Sequence, residues 1–126
     1  MAENILQRIH QLAAEDPRYK PMAYVFLFES LDFTVDKIVG ERRHVSGREL
    51  VEGIRRLAIE QFGPMCKMVL RSWGISTTQD FGHIVFNLVN SGLMGKTETD
   101  SLADFTNVFD FEEAFSLDQT VQLKTE

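Results

Sequence analysis

A stripe of polar side chains follows one face of the segment TTQDFGHIVFNLVNSGL, which runs from Thr77 to Leu93. At about 100° per residue, the apolar residues of this segment gather on one side of a helix. The side chains on the opposite side are Gln79, His83, Phe86, Asn87 and Asn90. Asn and Gln amides can pair bidentately with the edge of adenine, so the stripe could contact bases. It could also be a docking face for another protein, or only a solvated surface.

The charges around the stripe argue against nucleic acid. No Lys or Arg lies between Trp73 and Gly95, although phosphate contacts supply most of the affinity of such modules. Asp80 stands at the start of the helix, where a recognition helix approaches phosphate. Residues 72–126 carry two basic and nine acidic side chains. A protein partner or a second copy of the chain is therefore our first hypothesis for the stripe, and nucleic acid is the second.

Phe86 is the one large apolar residue of the stripe. The N-terminal helices or the C-terminal tail of the same chain could cover it. If it is exposed, an aromatic side chain flanked by Asn and His resembles the anchor of a protein interface inside a polar rim. The sequence leaves both interpretations open.

A second candidate site is a basic patch between residues 42 and 56. Residues 37–71 carry eight basic and four acidic side chains, whereas the chain as a whole has a net charge of −6. The patch could bind a phosphate or an acidic partner, helped by the amides at a helix N-terminus near Ser46. Alternatively, its arginines form salt bridges on the helix surface, such as Glu52 with Arg56 four residues later. The members of the patch are Arg42, Arg43, His44, Arg48, Arg55 and Arg56.

Catalytic and cofactor chemistry have little support. The histidines His10, His44 and His83 lack metal-ligand spacing, and the single cysteine, Cys66, adjoins an apolar face. No glycine pattern matches a dinucleotide or P-loop signature, and the DFG of Asp80–Gly82 lacks the other kinase motifs. We predict a chain that is not an enzyme and has no metal site and no cofactor.

Composition indicates one globular domain over residues 1–126, with 44% hydrophobic and 25% charged residues. No apolar run is long enough to span a membrane, and the amphipathic N-terminus contains acids, unlike a signal peptide. Because a single cysteine fits a reducing compartment, we predict a cytoplasmic protein without a membrane partner. We expect residues 1–17 to form a peripheral helix and residues 116–126 to fray.

The first half of the chain contains signals for three helices. Apolar residues at three- and four-residue spacing predict a first helix that ends before Pro17, and a second helix starts at Pro21. We place Tyr24, Val25, Phe28 and Leu31 on the inner side of the second helix. The sequence SGRE at residues 46–49 is a capping box, which begins a helix that runs to Phe62.

Helix signals continue after Gly63, a plausible left-handed stop. The segment PMCKMVLRSW predicts another helix, with Met65, Val69 and Trp73 pointing inward. Thr77 and Asp80 cap the next helix, which stops at Gly92. Asp110 and Glu113 cap a last short turn in DFEEAF.

Two segments indicate extended structure instead. The first, residues 31–44, reads LDFTVDKIVGERRH; its β-branched residues around a glycine favour a short strand or hairpin. The second, residues 93–109, reads LMGKTETDSLADFTNVF and favours two strands around a polar turn. Three helices followed by a hairpin is the element order of a winged helix-turn-helix. We therefore predict a mostly helical α+β fold: a winged-helix-like three-helix unit with a short C-terminal β-hairpin, preceded by N-terminal packing helices.

Seven blocks of sequence read HVSGREL, GIRRLA, QFGPM, WGI, TTQDFGHIVFNLVNSGL, KTETDSLADF and DFEEAF. Taken together, they resemble the Minf-type family of small conserved bacterial proteins, and the match covers about Arg18 to Phe115. The resemblance implies a single intact cytoplasmic domain. It brings no activity, cofactor or catalytic residue to this chain.

Overall fold

A computed structural model describes residues 4–41, 45–95, 105 and 107–116. Helices dominate these residues, and we number the α-helices in chain order. They are α1 (Ile5–Glu15), α2 (Pro21–Phe33), α3 (Gly47–Phe62), α4 (Cys66–Ser72), α5 (Thr78–Asn90) and the short α6 (Phe111–Ala114). A π-helix, Thr34–Val39, continues α2, and a 3₁₀ turn, Gly63–Met65, joins α3 to α4.

The predicted α+β class is wrong, because the described part of the chain contains no β-strand. Of the hairpin predicted over residues 93–109, residues 93–94 and 107–109 form turns and bends. Residues 96–104 and 106 lie outside the described residues. The predicted winged-helix-like unit is therefore wrong as well, since the analogy needed the hairpin as its wing.

The strand or hairpin predicted within residues 31–44 is also wrong for residues 31–41, and residues 42–44 lie outside the described residues. Residues 34–39 extend α2 as a π-helix that ends at Gly40, whose φ is 78°. The hydroxyl of Ser30 donates to the carbonyl of Phe26 at 2.8 Å, and that of Thr34 donates to the carbonyl of Ser30 at 2.6 Å. Both hydroxyls are buried, so hydrogen bonds to the preceding turn satisfy them inside a helix. Tertiary burial here outweighs the β-propensity of TVDKIV.

The predicted helix starts are confirmed where capping residues signalled them. The amide of Glu49 donates to Ser46 Oγ at 3.1 Å, and the amide of Ser46 donates to Glu49 Oε1 at 3.0 Å. This reciprocal pair begins α3. Asp110 likewise accepts from the amide of Glu112 at 2.8 Å and begins α6. Such caps are local in sequence, which explains why they could be predicted.

The inner faces of α2 and α4 differ from those predicted. In α2, Tyr24 is buried as predicted, but it is joined by Ala23, Phe26, Leu27 and Ser30. The predicted inner residues of α2, namely Val25, Phe28 and Leu31, are only half-buried. In α4, Cys66 and Leu70 are buried, whereas Met65, at the end of the preceding 3₁₀ turn, is 49% exposed. α2 is apolar almost all round, so residue spacing alone does not define which side faces the core.

Two aromatic clusters hold the helices together. Phe26, Phe62 and Trp73 have ring centroids 5.5–5.7 Å apart and join α2, α3 and the end of α4. The second cluster contains Phe81, Phe109, Phe111 and Phe115, with neighbouring centroids 5.2–5.8 Å apart. Because Phe81 belongs to α5, the second cluster fixes residues 109–115 against that helix.

Candidate interaction surface

The start of α5 is fixed by the carboxylate of Asp80. This group accepts from the amides of Ser76 and Thr77 at 2.9 and 3.0 Å, within a capping box. It also accepts from the Tyr19 hydroxyl at 2.6 Å. Burial alone would raise the pKa of Asp80, but the hydrogen bonds from Tyr19, Ser76 and Thr77 outweigh it and hold the pKa below its ordinary value. Asp80 therefore stays ionised and ties the α1–α2 loop to α5.

Asn87 lies two turns after Asp80 and bonds to the same part of the chain. Its Nδ2 donates to Asp16 Oδ2 at 2.9 Å and to the Tyr24 hydroxyl at 3.0 Å. Asp16 also accepts from Arg18, and this guanidinium holds the pKa of Asp16 well below its usual range. The amide of Asn87 is thus used within the chain, and the prediction that it belongs to an open face does not fit its position.

Four of the five predicted stripe residues form what we call the α5 strip: Gln79, His83, Phe86 and Asn90. Gln79 and Asn90 are exposed, His83 is half-buried, and Phe86 is 54% exposed. The residues follow one another at spacings of four, three and four, so they lie along one line of the helix. None of them is Lys, Arg, Asp or Glu. Because Phe86 is exposed, the N-terminal helices do not cover it, and the C-terminal tail, the other predicted cover, lies outside the described residues from position 117 onward.

Different parts of the chain border the α5 strip on its two sides. The bonds of Asp80 and Asn87 place the α1–α2 loop along one side. On the other side lies Gly82, where a methyl group would come within 3.0 Å of the ring of Phe105. The strip is therefore the part of α5 that the described residues leave open.

The described residues include only half of the predicted basic patch. Arg55 forms an ion pair with Glu52 at 2.7 Å, which supports the salt-bridge alternative with a different arginine from the one predicted. Arg48 and Arg56 are exposed on α3. Arg42, Arg43 and His44 lie outside the described residues, so their proximity to the others stays a prediction.

The structure adds a second apolar surface that the sequence did not single out. Met65 ends the 3₁₀ turn before α4, Met68 lies on α4, and the two are 49% and 57% exposed. Beside them, Lys67 and Arg71 both bind the carboxylate of Glu112, at 2.7 and 2.6 Å. These cations lower the pKa of Glu112, and they are occupied in holding α6 against α4.

Sequence reasoning missed the partners of α5 in the N-terminal part of the chain. These partners are Asp16, Tyr19 and Tyr24, the last two being the only tyrosines of the chain. One signal could have indicated them, because a buried tyrosine hydroxyl usually finds a hydrogen-bond partner. Both Tyr19 and Tyr24 are buried, and burial is the main cause that raises the pKa of each phenol.

Metal and membrane features are absent from the residues described. No group of three or more His, Cys, Asp or Glu side chains among them could hold a metal ion. Cys66 is buried. None of the helices described is both long and apolar enough to cross a bilayer.

Comparisons with models of known protein families, with curated proteins and with solved structures found no match for this chain. The resemblance to the Minf-type family therefore stays a prediction.

Replacing Asp80 by Asn should make the fold less stable and less sensitive to acid. The lowered pKa means that Asp80 contributes stability above its unfolded value of 3.8, and this contribution is lost as the pH falls through the folded pKa. We expect Asp80→Asn to cost about 1 kcal/mol near neutral pH, as the loss of a cap does, and to reduce the loss of stability in acid. Urea denaturation from neutral to acidic pH measures both effects. Asp32→Asn, at an exposed position of α2, is the control, and equal acid profiles for the two variants would contradict this role of Asp80.

Proposed function

We propose that this chain is a non-catalytic protein–protein interaction module and that the α5 strip is its contact surface. The observation that carries the proposal is the exposure of Phe86, 54%, on a helix whose neighbouring polar groups Asp80 and Asn87 bond within the chain. Burying an exposed aromatic side chain is favourable by about 25 cal/mol per Å² of apolar surface. The proposal includes a cytoplasmic location, supported by the single cysteine of the sequence.

The neighbours of Phe86 suit such a contact. Gln79 and Asn90 each offer both a hydrogen-bond donor and an acceptor, so they can pair with many polar groups of a partner. An uncharged side chain costs less to remove from water than an ionised one. An aromatic anchor with neutral polar groups around it is the composition of an interface centre, where charged residues are depleted.

Nucleic acid is the weaker candidate. The nucleic-acid hypothesis depended on the winged-helix analogy, which the described residues contradict. In addition, the α5 strip has no positively charged side chain that could bind phosphate. Arg55, Lys67 and Arg71 are engaged in ion pairs with Glu52 and Glu112. The experiment below includes a nuclease treatment so that it tests this alternative too.

Phe86→Asp should abolish the recovery of a partner protein. A charge in place of the aromatic anchor should weaken binding by at least about 2 kcal/mol, or roughly 30-fold, as at interface hot spots. The measurement is a quantitative pull-down with the tagged chain from the lysate of the source cells, with and without nuclease. Because Phe86 is exposed, the variant should unfold at the same temperature as the natural chain.

Met68→Asp is the matched control for this experiment. Met68 is as exposed as Phe86, at 57%, but lies on α4. We expect this variant to retain the partner that Phe86→Asp loses. Equal recovery by Phe86→Asp and the natural chain would refute the strip as the contact surface, and recovery that vanishes with nuclease would favour nucleic acid.

A further inference from the structure

We propose that the α5 strip binds a second copy of this chain, with the two α5 helices packed antiparallel about a two-fold axis. The inference rests on the proposed function, because it names the occupant of the same surface. It draws on three features of the strip: its spacing, the types of its side chains and its lack of charge.

The spacing of the strip is the same in both directions along the helix. The intervals between Gln79, His83, Phe86 and Asn90 are four, three and four residues. This alternation is that of the seam along which two helices pack side by side. When two copies run antiparallel about a two-fold axis, Phe86 of each copy faces His83 of the other, and Gln79 of each faces Asn90 of the other.

The side-chain types match in that arrangement. The two inner contacts each bring a phenyl ring against an imidazole ring, and aromatic pairs gain about 0.5–1.5 kcal/mol beyond their buried area. The two outer contacts each bring two carboxamides together, and every carboxamide can both donate and accept. A parallel pair would instead place each residue against its own copy, which leaves Phe86 against Phe86 and His83 against His83.

Charge also favours a self-contact at this strip. Each copy has a net charge of −6, so two copies repel each other overall. The strip itself has no acidic residue, and two carboxylates beside it among the described residues, Asp80 and Asp16, accept hydrogen bonds from Tyr19 and Arg18 within the chain. The four side chains of two strips can therefore meet without bringing like charges into contact.

The length of α5 limits the strength of the dimer. Its 13 residues are about 20 Å long, and one helix face buries less than the roughly 1,200–2,000 Å² of a stable protein interface. We therefore expect a weak, reversible dimer. Sedimentation velocity over concentrations from the micromolar to the millimolar range should show the natural chain converting from monomer to dimer.

Two double variants test the antiparallel arrangement. Gln79→Glu with Asn90→Lys keeps the net charge and places opposite charges at both outer contacts. Gln79→Lys with Asn90→Lys places like charges there, although it lowers the net negative charge of the chain and so its general repulsion. Positions 79 and 90 are exposed and about 16 Å apart along the helix, so the new side chains should neither disturb the core nor pair within one copy.

We expect the Glu/Lys variant to dimerise at least as tightly as the natural chain, with a dependence on salt that the natural chain lacks. The Lys/Lys variant should dimerise at least about tenfold more weakly. Equal dimerisation of the Lys/Lys variant and the natural chain would overturn the strip as the seam. Equally weak dimerisation of both variants would overturn the antiparallel arrangement, because a parallel pair brings like charges together in both.

The outcome for the proposed function is measured separately. If the natural chain is monomeric at every concentration, the second copy is overturned as the occupant. The pull-down then decides about the strip itself: loss of a different protein by Phe86→Asp, but not by Met68→Asp, would leave the proposed function standing.

Discussion

Gly74→Ala should lower the free energy of unfolding by about 2–5 kcal/mol, a large part of the stability of a small domain. Gly74 has a φ of 96°, a conformation that costs a residue with a Cβ roughly 1–2 kcal/mol. A Cβ at this position would also lie 1.9 Å from the carbonyl oxygen of Arg18 and 3.1 Å from its carbon. Because these are backbone atoms, no side-chain rotation can relieve the overlap, which adds about 1–3 kcal/mol.

Gly92→Ala is a matched control that separates the two costs. Both glycines follow a helix in the same C-terminal motif. The amide of Gly74 donates to the carbonyl of Arg71, and the amide of Ile75 donates to the carbonyl of Leu70. Gly92 and Leu93 make the equivalent bonds at the end of α5. Gly92 has a similar φ, 81°, but its Cβ would have no neighbour within 4 Å. We expect Gly92→Ala to lower the free energy of unfolding only by the backbone strain, roughly 1–2 kcal/mol. Equal losses in urea denaturation of the two variants would show that the contact with Arg18 is unimportant.

The contact at Gly74 also matters for the candidate surface. It brings the backbone of Arg18 against the end of α4, and the amide of Lys20 donates to the carbonyl of Trp73 at 3.0 Å. Tyr19 lies between Arg18 and Lys20 in the chain, and its hydroxyl donates to Asp80 of α5. The close approach at Gly74 thus positions the loop that borders the α5 strip.

Sequence reasoning succeeded where the controlling interactions are local. The caps at Ser46 and Asp80 depend on residues three positions apart, and the periodicity of α5 correctly separated the buried Phe81 and Leu88 from the exposed Phe86. Helix geometry is enough for such predictions, since neighbours along one helix face are fixed by the period. The α5 strip was therefore recognisable before the fold was known.

Sequence reasoning failed where distant residues decide the outcome. Asn87 was assigned to the open face, but it bonds to Asp16, 71 positions earlier in the chain, and to Tyr24. The segment TVDKIV has the residues of a strand, yet burial of Thr34 against α3 keeps it helical. No local rule contains these contacts, because tertiary packing overrides propensity.

Gly53→Ala tests that packing between α3 and the π-helix. A Cβ on Gly53 would lie 1.7 Å from Thr34 Oγ1, 2.8 Å from its Cβ and 3.3 Å from its Cα. Alanine favours a helix over glycine by about 1 kcal/mol, so the change would be stabilising in an isolated helix. We expect the overlap, about 3 kcal/mol at the upper end of overpacking costs, to outweigh that gain, so the variant should lose about 2 kcal/mol of unfolding free energy in urea.

The double variant Gly53→Ala with Thr34→Ala identifies the cause of that loss. Thr34→Ala alone removes a buried hydroxyl that donates to Ser30, and it should cost about 1 kcal/mol. In the double variant the hydroxyl is no longer in the path of the new Cβ, so part of the overlap is relieved. The double variant should therefore be more stable than the sum of the two single changes predicts, by at least about 1 kcal/mol. Additive losses would mean that Gly53→Ala acts through something other than its contact with Thr34.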